Sequence, residues 1–267
     1  MKIIKRLFFC LSVILCIITD IHTTTQADQQ KLAVLLYHHI LPAADNTTFK
    51  DNGLVLPQAD FLEQMEYLYK NNYHTVNTNE LRAFLYQNKP LPAKSVMITF
   101  DDGYMGNYMF AYPILKQYGF KAVMFVITGG MQTKEVDFHP DQLDMLSWMQ
   151  VAASSDVFEF GSHTNALHTP VNGKTGLVTA SPQDAAADLQ RSQKRLNNKK
   201  LFSYPLGQYT DQIVKMARNN GVDLAFTINK GYVTQNSNPM LLKRITVYTG
   251  ITLKTFESIV TCRYVYK

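Results

Sequence analysis

Cysteine is nearly missing from this sequence of 267 residues: there are three, and Cys10 and Cys16 fall within the first twenty positions. A chain trimmed after Ala27 keeps only Cys262, which excludes an intrachain disulfide and leaves core packing to hold the fold. No lipid-anchoring signature precedes Cys16, because Val13, Ile14 and Leu15 stand where small residues are needed. Long apolar runs are scarce too. The N-terminal one, residues 7–18, falls short of the roughly 20 that span a bilayer. No repeat, long Gly/Ser/Pro linker or low-complexity tract divides the chain, so residues 28–267 are expected to form one domain. The net charge of +5 drops to about +3 without the N-terminal segment, and no basic-aromatic cluster is visible. That argues against nucleic acid as a partner, while a mild basic excess suits an anionic cell-wall setting.

What is present starts with Lys2, Lys5 and Arg6 ahead of the apolar run, then a polar stretch over 19–26 and the small Ala27. This is the layout of an export signal or, if uncleaved, of an N-terminal anchor over residues 1–27. The expected location is secreted or attached to the extracellular cell surface. Beyond residue 27, apolar runs alternate with amphipathic stretches. Strands are expected over 32–37, 73–76, 95–100, 121–127, 157–160, 201–204, 224–228 and 241–247. Helices are expected after Pro57 through Phe61, Met65 and Leu68, and then over 107–118, 141–152, 182–196 behind a Ser181 cap, 211–220, and from Leu253. Repeated strand–helix units of this kind predict a parallel α/β fold, closed or nearly closed as a barrel. Chemistry in such folds gathers at the C-terminal ends of the strands.

Three polar clusters sit where apolar strands stop. The first is Asp101-Asp102-Gly103-Tyr104, after the strand over 95–100. Adjacent carboxylates repel and raise one pKa. Taken alone, the motif is more often a plain Asp-Gly turn with one Asp capping the following helix. A metal would resolve the repulsion by ligating one carboxylate and leaving the other as a base. The second cluster holds His163 and His168, five residues apart. On a helix that spacing rotates one ring about 140° from the other, and on a strand it points them to opposite faces, so they converge only if the segment turns. The third is Tyr37-His38-His39. One imidazole there suits a general acid, and a His satisfied in a loop is the alternative.

These motifs resemble the polysaccharide deacetylase (NodB-homology) superfamily, carbohydrate esterase family four. Thr99-Phe100-Asp101-Asp102-Gly103 is similar to its first motif, and Ser162-His163-Thr164 through His168 to its second. Ser203-Tyr204-Pro205-Leu206-Gly207 is similar to its groove-lining third. The resemblance implies a distorted (β/α) barrel with Asp101 as catalytic base and Asp102, His163 and His168 as ligands of a divalent metal, zinc first, with nickel or cobalt as alternatives. Ser203 stands where the family usually has Arg, and no His follows His168 to supply the usual C-terminal acid. Instead Leu35-Leu36-Tyr37-His38 opens the domain, which resembles the circularly permuted branch that deacetylates poly-β-1,6-N-acetyl-D-glucosamine, the IcaB and PgaB type. That branch implies His38 as the acid, with His39 the weaker candidate. The substrate-binding candidates are Tyr104, through its backbone N–H, with Pro205, Gly207 and Arg244. Arg244 is also the candidate to orient Asp101 in place of the missing motif Arg. The expected partner is an N-acetylglucosamine polymer at the cell surface, and the expected state a monomer. A peptidoglycan or chitin-oligomer deacetylase and a non-catalytic glycan-binding surface protein are the alternatives.

Overall fold

Seven short runs of mostly buried residues become seven parallel strands: β1 (Ala33–Tyr37), β2 (Ser95–Phe100), β3 (Ala122–Val126), β4 (Phe158–Ser162), β5 (Leu201–Ser203), β6 (Leu224–Lys230) and β7 (Leu242–Thr246). The computed structural model describes residues 29–197 and 199–265, so the export signal expected over 1–27 lies outside the described residues. Each strand pairs with its neighbours in chain order. The sheet closes because β1 pairs with both β2, Tyr37 opposite Phe100, and β7, Leu35 opposite Ile245. The expected distorted (β/α) barrel is therefore what forms. Among the described residues no helix is long and apolar enough to cross a membrane.

Strand side chains alternate between faces, and this alternation separates two environments. Val34, Met97, Val123, Phe125, Leu201, Leu224, Phe226 and Leu242 meet inside the barrel. Leu35, Ile98, Phe100, Met124 and Phe160 face outward, where Phe61 and Met65 of helix Gln58–Lys70 and Phe256 of helix Leu253–Val260 cover them. Phe202 and Ala225 pack under Leu189 of helix Pro182–Arg195 and Ile213 of helix Asp211–Asn219. Continuing the inward parity by two residues from Met97, Leu201 and Leu242 gives Thr99, Ser203 and Arg244. A further step along β2 gives Asp101. The core ladder thus turns polar toward one mouth.

The other end is plugged. Helix Thr78–Tyr86, unanticipated from sequence, starts at a capping box of Asn77 and Glu80 and sends Leu81, Phe84 and Leu85 into the inner cluster. Arg82 ties it to Asp223, just before β6, by two bonds of 3.0 Å. Two expected helices differ from the reading. The one over 141–152 is only Trp148–Ala153, because a Ser147–Gln150 capping box sets its start and the preceding backbone bridges extended to Tyr104 and Gln132. The one over 107–118 opens as a wide π turn, Asn107–Ala111, before Tyr112–Gln117. Pro113 has no N–H for the ordinary ladder at that junction.

Candidate active site

Asp101 and Asp102 are adjacent in sequence but serve different partners. Asp101 continues β2, its N–H donating to the Tyr37 carbonyl at 3.0 Å. Its carboxylate is 3% exposed and takes a two-pronged guanidinium from Arg244, at 2.8 Å to Oδ1 and 2.6 Å to Oδ2. Asp102 then breaks from the strand at φ 72°, followed by Gly103 at φ 89°. A Cβ on Gly103 would lie 2.8 Å from the Val126 side chain, so only glycine lets the chain turn this close to β3. The turn carries the Asp102 carboxylate to the imidazoles, 3.5 Å from His163 Nε2 and 3.2 Å from His168 Nε2.

The five-residue His spacing works because the loop after β4 is bent and pinned. His163 leaves β4 with its N–H on the Val126 carbonyl at 2.9 Å, and Thr164 takes φ 73°. Asp188, buried on helix Pro182–Arg195, accepts the N–H groups of Asn165 and Ala166, each at 2.8 Å. With the loop so held, the His163 and His168 ring centroids lie 4.9 Å apart. Asp188 was missed by the sequence reading. Its only trace there is one acidic residue on the apolar side of a helix, which does not reveal a contact across 23 positions.

The donor set fits a divalent cation. One carboxylate oxygen of Asp102 and one nitrogen each from His163 and His168 all lie within 4.8 Å of one another. His163 Nδ1 is 2.8 Å from the Ser203 carbonyl, which accepts its proton and leaves the Nε2 lone pair facing Asp102. Burial pushes the His163 pKa down more than the two carboxylates pull it up, so the ring stays neutral, as a ligand must. Burial pushes the Asp102 pKa up, yet the hydrogen bond with His168 and the electrostatic influence of the neighbouring imidazoles more than offset it. The net shift is downward. Asp101 shows the same balance, with Arg244 the strongest downward influence.

Arg244 is a correction to one expectation. It is 0% exposed, so it does not touch substrate as a groove residue would. Its Nε donates to the Thr227 carbonyl, within the irregular stretch of the β6–β7 pairing, and one terminal nitrogen donates to Ser203 Oγ at 2.7 Å. Ser203 Oγ in turn donates to Asp101 at 3.1 Å. The guanidinium missing at position 203 thus arrives from β7, with the Ser203 hydroxyl wedged beside it. Pro205 is buried as well and shapes the turn rather than lining a groove. Leu206, which the sequence reading did not single out, is the exposed residue of that turn. Gly207 is half-buried at φ 67°, and half-buried Tyr104 lines a small cavity together with His38, His39 and Asp102. Burial and then the Asp102 charge push the Tyr104 phenol well up. His38, just past β1, is half-buried with Nδ1 enclosed, and its charge helps hold both Asp101 and Asp102 down. A separate cleft of about 660 Å³, lined by Trp148, Val157 and Arg195, touches none of these residues.

Residues 88–225, half of the chain, match the polysaccharide deacetylase family. The chain belongs to that family. It is 32% identical over 231 residues to YxkH of Bacillus subtilis, itself named for the same family, covering 85% of this chain and 75% of that one. It is 34% identical over 200 residues to the poly-β-1,6-N-acetyl-D-glucosamine N-deacetylase of Staphylococcus aureus, covering 71% and 67% of the two chains. Among solved structures, the Streptococcus pyogenes deacetylase PplD in complex with acetate superposes with a TM-score of 0.73 at 25% identity, over 89% of this chain and all of that one. This polysaccharide deacetylase is an enzyme, and the segments that resemble the family's first and second motifs are those whose side chains meet at the barrel mouth.

Proposed function

We propose that the protein removes N-acetyl groups from an extracellular N-acetylglucosamine polymer, poly-β-1,6-N-acetyl-D-glucosamine, with a divalent cation, zinc first, held by Asp102, His163 and His168. One observation carries the chemistry: of two neighbouring carboxylates, one faces two imidazoles and its twin is clamped by a guanidinium. Asp101, kept ionised by Arg244, is the base that takes a proton from the attacking water. A carboxylate held this low is a weak base, so the cation's part is to acidify that water and polarise the acetamide carbonyl. His38 hands a proton to the departing amine, a poor leaving group without it. The Tyr104 N–H points away from its bridge to Met145, whose two bonds run through Gly103 and Met105, and it is the candidate donor to the tetrahedral oxyanion. The products are acetate and a polymer carrying free amines, suited to surface adhesion and biofilm.

The substrate linkage rests on the similarity to the staphylococcal N-deacetylase and on the N-terminal position of His38. The export-signal layout of residues 1–27 supports a location outside the cytoplasm. Acetate release from defined β-1,6 and β-1,4 N-acetylglucosamine oligomers, before and after chelation, tests the reading. It expects chelator-sensitive release favouring β-1,6. Preference for β-1,4 oligomers would transfer the enzyme to chitin or peptidoglycan strands, and release untouched by chelation would remove the cation.

A further inference from the structure

His39 is an almost fully enclosed imidazole near the mouth, and nothing in the chemistry above uses it. It is 1% exposed, and neither ring nitrogen has a hydrogen-bond partner. A buried polar atom left so is costly, so a partner is called for. The packing around it is specific. Tyr104 meets the ring edge-on at 5.2 Å, and Phe49 lies at 6.3 Å. Gly106 comes so close that a Cβ there would lie 2.6 Å from His39 Cε1. His38 Nδ1 is likewise buried without a partner. Both imidazoles line one small cavity of about 40 Å³, lined also by Asn52, Leu54, Val55, Asp102, Tyr104 and Leu143. That space admits a water, which needs two to four polar partners.

We propose that a single ordered water in this cavity bridges His39 to His38 Nδ1, making His39 a positioning residue for the general acid. The bridge fixes the His38 ring so that Nε2 is the nitrogen turned to the departing amine. Neutral His39 offers one donor and one acceptor, so it suits either orientation of the water. Burial holds it neutral, its pKa pushed down to about 4. The inference rests on the deacetylase reading above, in which His38 protonates the leaving group.

The test compares two substrates that differ in their need for an acid. An N-acetylglucosamine oligomer loses an amine, which must be protonated, whereas an aryl acetate loses a phenolate, which need not be. The account expects His39→Phe, which keeps an aromatic ring in the same space, to lower the ratio of amide to aryl-ester turnover at least tenfold. His39→Gln, which restores a donor and an acceptor, should recover part of it. An unchanged ratio in folded His39→Phe overturns the inference, as does a crystal structure of the wild type with no water between the two rings. Should His39→Phe not fold, the wild-type crystal structure decides, and the absence of a water between the two rings counts equally against it. Wild type inert toward the oligomer would instead remove the deacetylase reading itself.

Discussion

At the scale of single residues, the site is a lesson in assigning charge. Two carboxylates on neighbouring residues would repel if both faced one space. Here the positive φ of Asp102 sends them apart, one toward two imidazoles and one toward Arg244. Arg244 and Asp101 are fully buried, so removing either partner would strand a charge at a cost of about 3–5 kcal/mol. His39 gives this scale its pH dependence. Burial pushes its pKa down to about 4, against the upward pull of Asp102 and Asp144. An unfolded His titrates near ~6.5. Between these values the unfolded chain binds a proton that the folded one does not. The stabilisation is therefore complete above pH ~6.5 and is lost as pH falls toward about 4, up to roughly 3 kcal/mol for a shift of this size. Urea unfolding of His39→Phe is expected to show a shallower loss of stability from pH 7 to pH 5 than wild type. Equal loss in both would contradict the assignment.

At the scale of elements, the loop after β4 depends on a helix that contributes no ligand. Asp188 accepts two backbone N–H groups from Asn165 and Ala166, and that bend brings His168 beside His163. Asp188→Asn, with one acceptor oxygen in place of two, is expected to weaken cation binding about 10–100-fold, as changes behind metal ligands do. Competitive titration with a chromophoric chelator measures it, and wild-type affinity would argue against the pinning role. The barrel strands were legible from sequence because β1 and β3 are short apolar runs and the others carry a shorter apolar stretch or an alternating apolar face. What stayed hidden has physical reasons. Helix Thr78–Tyr86 carries an Asn77…Glu80 start signal but too short a periodic stretch to stand out. The segment before Trp148 is rich in residues that suit a helix, yet its backbone is claimed by Gly103 and Met105.

At the scale of the whole molecule, closure of the sheet makes the chemistry possible. β2, β4, β5 and β7 are not all neighbours in the sheet, yet their inward residues meet across the mouth, so that Thr99 and Arg244, 145 positions apart, lie within 3.3 Å. The individual motifs could be read before the fold was known. That Arg244 substitutes for the guanidinium absent at Ser203 could not be read off the sequence with the same clarity, because only the closed barrel brings β5 and β7 to the same carboxylate. The opposite end, plugged by Leu81, Phe84 and Leu85, holds none of the site residues. The most direct test is cation content, by elemental analysis, set beside acetate release for Asp101→Asn, Asp102→Asn and His163→Ala. The account predicts that Asp101→Asn keeps its ion yet loses turnover, while the other two lose both. Equal ion content in all three and in wild type would contradict it.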